Sequence, residues 1–138
     1  MFKLHPRLIQ DSIPVGEFEL SNLLIHRDAS YPWFILVPSV MQATELTELP
    51  MEQQQQVLHE MNQVAAMVTS LYNPDKLNIG ALGNVVSQLH IHVIGRFTND
   101  PAWPNPVWGQ LAANAYSEAQ LEQQLTKIRA CLLTWCAV

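Results

Sequence analysis

The chain of 138 residues is near the commonest size for one domain and can close a hydrophobic core without disulfide or metal staples. Its 49% apolar and 14% charged residues exclude a disordered chain, and a net charge of −5 with no run of lysine or arginine excludes a nucleic acid held through many phosphate contacts. Any phosphate it binds is expected to be small and gripped by neutral donors. No apolar run of about 18 residues is available to span a bilayer, and the start MFKLHPRLIQD lacks the apolar stretch of a signal peptide, so no membrane partner is expected. Cys131 and Cys136 suit neither a C-x-x-C motif nor a disulfide within one helix, which points to a reducing cytoplasm.

In chain order, EFELSNLLIHRD (17–28) and YPWFILVP (31–38) read as two strands joined as a hairpin through RDASYP, with Pro32 suited only to the start of the second. From Met51 to Tyr72, the apolar residues Val57, Met61, Val64, Val68, Leu71 and Tyr72 fall on one face of a helix, and NPD (73–75) stops it. KLNIGALGNVV and SQLHIHVIGRF follow as two more strand candidates separated by a turn near Gly83 and Asn84. NDPAWPNPVWG (99–109), with three prolines and two tryptophans, is an ordered loop. Ser117 with Gln120 three residues later forms a capping box that opens a last helix over about 117–136, whose buried stripe is Leu121, Leu125, Ile128, Leu132 and Trp135. Strands, helix, strands, helix with hairpin-length connections imply a single α+β domain over 1–138 built on an antiparallel sheet.

SQLHIHVIGRF carries the chemistry. Alternation along a strand places Leu89, Ile91 and Val93 on the core face and Gln88, His90, His92 and Arg96 on the other. His90 and His92 then stand roughly 6.6 Å apart at Cα, close enough for one imidazole to approach a phosphorus while the other reaches an oxygen on it. An imidazole is both a good nucleophile and a good leaving group near neutral pH, and a second one can protonate a departing oxygen. Two other readings of H-x-H compete. The histidines could be ordinary solvated residues, or they could bind zinc with a third ligand from His26, Asp28 or Asp100.

QLHIHVI resembles the histidine triad motif, His-φ-His-φ-His-φ-φ with φ apolar, of the family that binds and hydrolyses or transfers nucleotides. The hairpin LLIHRDASYPWFILVP, the long helix and LNIGALGNVVSQLHIHVIGR follow in the family's order, so the resemblance spans roughly residues 15–109. It implies a histidine triad fold with about five antiparallel strands and two main helices, and looks like the diadenosine polyphosphate hydrolase-like branch. The implied enzyme is a phosphoanhydride hydrolase or nucleotidyl transferase acting on a nucleoside polyphosphate or phosphoramidate, cytoplasmic and homodimeric, with no cofactor and no metal. The resemblance puts the nucleophile on His90 and the third triad histidine on His92, with Asn78, Asn84 and Ser87 as neutral donors to the phosphate.

The sequence departs from the family pattern at three positions. Gln88 replaces the first triad histidine, Val85 stands where several members carry a hydroxyl, and His26 takes the place of a ribose-binding asparagine. Gln88 is read as a hydrogen-bonding post within the catalytic set. Arg96 continues the alternation of the histidines and is placed near phosphate, with pairing to an acid as the other reading. Trp33 and Phe34 are read as sheet core, while Trp103 and Trp108 could cover a base, close a dimer or anchor their loop. A non-catalytic nucleotide-binding protein is the alternative function.

Overall fold

The computed structural model describes residues 1–110 and 114–136. One antiparallel sheet runs in the order β1-β2-β3-β5-β4, formed by β1 (Ser12–Glu17), β2 (Ser21–His26), β3 (Trp33–Pro38), β4 (Lys76–Gly80) and β5 (Ile91–Arg96). The helices are α1 (Pro6–Asp11), α2 (Met51–Tyr72) and α3 (Glu118–Cys136).

The expected hairpin is β2 with β3, in which Leu24 faces Ile35 across the ladder and β3 starts immediately after Pro32. What the sequence concealed is β1. Pro14 and Gly16 break its strand pattern, and the register shifts between them, yet it pairs with β2 through the turn where the Phe18 amide donates to Ser21 O at 2.8 Å. The segment 17–28 is therefore the end of one strand, a tight turn and a second strand. Short α1 was also hidden, since six residues carry too little periodicity to be read.

Helix α2 has the bounds its periodicity implies. It stops because Asn73 takes the left-handed conformation (φ 48°, ψ 56°) and its amide donates to Thr69 O at 3.1 Å. Its buried stripe of Val57, Val64, Met67 and Val68 packs on the sheet face made by Phe34, Leu36, Ile91 and Val93. Gly95 allows that approach, because a Cβ there would stand 2.7 Å from Pro32 Cγ and 3.1 Å from Val68 Cγ1. The same face is closed by Ile128 of α3, whose capping box is reciprocal: Ser117 N donates to Gln120 Oε1 at 3.0 Å and Gln120 N to Ser117 Oγ at 3.1 Å. Of the apolar stripe expected on α3, Trp135 lies outside the residues whose side chains are described, as does Cys136.

The opposite sheet face receives no long helix. Leu24, Ile35, Val37 and Ile94 are covered there by Leu8 of α1 and by Val86, Ala102 and Val107 from loops. Small elements cover a face less completely than a helix does, and they leave a cavity there. No helix among the described residues is long and apolar enough to cross a membrane.

Candidate functional site

β5 begins at Ile91, so Gln88 and His90 lie on the approach to the strand, where the amide of Leu89 donates to Ala43 O at 2.9 Å. The alternation nevertheless holds. Leu89, Ile91 and Val93 join the α2 core, and His90 and His92 turn to the other side, with ring centroids 5.0 Å apart and planes at 69°. Both imidazoles are nearly buried, at 7% and 8% exposure, and both line a cavity of about 610 Å³.

Each ring is fixed by one hydrogen bond, and the chemistry of the partner assigns the proton. His90 Nδ1 lies 2.7 Å from the carbonyl oxygen of Gln88, which can only accept, so in the neutral ring Nδ1 carries the hydrogen and Nε2 the lone pair. His92 is set the opposite way. The Trp33 indole, a pure donor, gives its Nε1–H to His92 Nδ1 at 2.9 Å, so the proton of the neutral ring sits on Nε2. Burial, reinforced by repulsion from His90 and His26, pushes the His92 pKa down to about 3. At neutral pH His92 is thus an uncharged imidazole with its proton held on Nε2.

His26, on the cavity wall, stacks on Trp33 with centroids 3.9 Å apart and planes at 10°, and its Nδ1 accepts from the Asp28 amide at 3.0 Å. Burial lowers its pKa and outweighs the opposing pull of Asp11 and Asp28. Trp108 meets the edge of His92 at 5.4 Å and also lines the cavity, while Trp103 lies over the Arg96 guanidinium at 5.6 Å. The sequence had left the roles of these two tryptophans open. Asn84 reaches the wall together with Val85, beside Gly83 in the left-handed region (φ 76°).

The remaining expected residues stand apart from the cavity. Arg96 is on the right face but sealed, at 1% exposure: its Nε and Nη2 bind the two oxygens of Asp100 at 2.8 and 3.0 Å, Nη1 donates to Asn78 Oδ1 at 2.7 Å, and Nη2 also donates to Asn105 O at 2.9 Å. Burial pushes the Asp100 carboxyl up, but bonds from Arg96 and from the Phe97 and Trp103 amides outweigh it and hold the pKa below the usual range. Arg96 therefore pairs with an acid, and both it and Asn78 brace the loop that carries Trp108. Ser87 is exposed and off the wall. Gln88 spends its side-chain amide on the N-terminal segment, with Oε1 accepting from His5 N and Nε2 donating to Lys3 O, both at 2.8 Å. Its backbone carbonyl, not its side chain, touches the histidine pair.

Among the wall residues that carried no signal in the sequence are Arg7 and Asp11 from α1, and Asn114, whose backbone amide donates to Asp28 Oδ1 at 3.2 Å. Asn114 reaches Asp28 across 86 residues, beyond any local pattern, and Arg7 and Asp11 lie on a helix too short to show a periodicity. Among the described residues no three His, Cys, Asp or Glu side chains are grouped to hold a metal ion, so the H-x-H pair lacks a third ligand there.

The family model for the HIT domain matches residues 7–99. A histidine triad protein from Marinobacter aquaeolei VT8 is 43% identical, with 97% of this chain and 98% of that chain covered and a TM-score of 0.93. One from Sinorhizobium meliloti 1021 is 40% identical, with 96% and 98% covered and a TM-score of 0.92. At 16% identity, a diadenosine triphosphate hydrolase from Plasmodium falciparum shares the fold alone, with a TM-score of 0.66 over 97% of this chain and 82% of that chain. No curated protein matches.

Proposed function

The chain belongs to the HIT domain family, and from that membership we propose that it is a nucleotide hydrolase or nucleotidyl transferase working through a covalent nucleotidyl-His90 intermediate. The observation that carries this reading is the complementary locking of two adjacent imidazoles on one cavity wall. His90 offers a lone pair on Nε2 and His92 offers a hydrogen on its Nε2.

In the proposed reaction His90 Nε2 attacks the α-phosphorus, forming a P–N bond as the bond to the leaving oxygen breaks and its electron pair departs with the leaving group. Water then attacks the same phosphorus and releases its proton to solvent, and His90 leaves with the pair of the P–N bond. His92 donates its Nε2–H to a phosphate oxygen as charge builds on it. Because His92 stays neutral, the first step favours a leaving group that departs readily as an anion. That supports a phosphoanhydride, such as a nucleoside or dinucleoside polyphosphate, over a phosphoramidate. Asn84 is the neutral donor of the sequence reading that lies on the wall. A homodimer belongs to the same proposal, supported by β4 as the last strand of the sheet and by Ile79, which is 43% exposed on it, and a cytoplasmic location is proposed with it from the cysteine usage.

A second reading, a nucleotide-binding protein without turnover, draws support from the Gln88 side chain, which leaves the triad's first position unused in the cavity. One experiment separates the two. After incubation with a labelled nucleoside polyphosphate and alkaline denaturation, mass spectrometry is expected to find the nucleotidyl group on His90 and none on His90→Ala. Binding without any adduct or turnover would replace the enzyme reading with the second one.

A further inference from the structure

We infer that Gln88 is a positioning residue for Arg7, and that Arg7 takes the phosphate groups beyond the scissile one in a nucleoside polyphosphate; this rests on the nucleotide reading above. The two hydrogen bonds of Gln88 go to residues 3 and 5 of one extended segment, so the amide reads that segment as a neighbouring strand would. A primary amide can donate and accept side by side on one edge. An imidazole holds its donor and acceptor on diverging edges, and a carboxylate has no donor, so neither makes both bonds to a single segment. The clasp therefore gives a physical reason for glutamine at this position.

What the clasp delivers is α1. Pro6 opens the helix directly after the held segment, His5 Nδ1 accepts from Arg7 N at 3.0 Å, and buried Leu8 pins the turn to the sheet. Arg7 then lies on the cavity wall with its Nε on Asp11 Oδ2 at 3.1 Å, and its two terminal nitrogens make no hydrogen bond among the described residues. It is the sole Arg or Lys side chain on the wall among those residues, where the other full charges are Asp11 and Asp28. Its side chain is 55% exposed while His90 and His92 are nearly buried, so the cation stands at the rim and the reacting pair lies deep. A phosphate chain reacting at His90 must extend toward the rim. There a guanidinium oriented by Asp11 presents the fork that matches phosphate oxygens.

The test compares the full-length wild type with Arg7→Ala, Gln88→Ala, Gln88→Glu and the Arg7→Ala/Gln88→Ala double variant. Each is titrated calorimetrically with a nucleoside monophosphate and with a non-hydrolysable triphosphate of the same nucleoside. The ratio of the two affinities is expected to fall about tenfold in Arg7→Ala, the scale of one charge-assisted bond. It should fall nearly as far in Gln88→Ala, partly in Gln88→Glu, and no further in the double variant. A loss of general fold quality would weaken both ligands alike and leave the ratio in place. An unchanged ratio in Arg7→Ala, or independent losses that multiply in the double variant, would overturn the inference while leaving monophosphate binding and the nucleotide reading intact. Failure of the wild type to bind either nucleotide would overturn both.

Discussion

One face of β5 carries a chargeable side chain near each end, His92 and, four residues on, Arg96, and they have opposite fates. At the Arg96 end, the guanidinium finds Asp100, Asn78 and the Asn105 carbonyl, and the loop over it shuts out solvent. At the histidine end each ring makes one fixing bond through Nδ1, which leaves Nε2 for a ligand in the cavity. Alternation assigned both ends to the same side, but chemistry follows from unused bonding capacity. A side chain with every nitrogen hydrogen-bonded is a brace, and one held by half its valence is a tool.

Four measurements can break or sharpen that contrast. His90→Ala should lower turnover by at least roughly 10³-fold while nucleotide affinity stays within about tenfold, because a nucleophile acts chiefly in the transition state. Single-turnover kinetics beside a binding titration would check this, and activity within threefold of wild type would refute the mechanism. Arg96→Met should do the reverse, removing about 3–5 kcal/mol of stability in urea denaturation because Asp100 is left buried without its partner. If it unfolds at the wild-type midpoint, the Arg96 network is no brace. Trp33→Phe should cost about 1–2 kcal/mol and reduce turnover several-fold, since it deprives His92 Nδ1 of its donor and releases the tautomer. Wild-type kinetics in that variant would show that the indole does not set the ring.

The mildest effect is on pH dependence. His92 is held below its ordinary value of 6.5, at about 3, so between those values the unfolded chain binds the proton and the folded one does not. Stability from this group is complete above about pH 6.5 and falls as pH drops toward 3, at up to about 1.4 kcal/mol per pH unit. The melting temperature of His92→Asn should therefore decline less steeply with acid than that of wild type. Parallel declines would mean that the ring is not held neutral.

The sequence was most informative where periodicity ran long or a cap had a fixed spacing. The bounds of α2, the Ser117 box and the β3 strand after Pro32 were all legible because local physics decides them. β1 was not, since Pro14 and Gly16 erase its alternation. At the site, alternation found the face of His90 and His92 but misjudged Gln88, whose backbone rather than its amide meets His90. No local pattern could reveal that residues 3 and 5 claim that amide, or that a loop seals Arg96.

Three clasps of long sequence separation hold together the segments around the cavity: Gln88 to Lys3 spans 85 residues, Asn114 to Asp28 spans 86, and Trp33 to His92 spans 59. Closing loops of that length costs entropy that a few hydrogen bonds repay only after the sheet has brought the ends together. A refolding chain is thus expected to form its local β2–β3 hairpin before its cavity. Under mild stress the clasps are expected to open first, so that hydrogen exchange would report loss of the cavity while the amides of the α2 core stay protected.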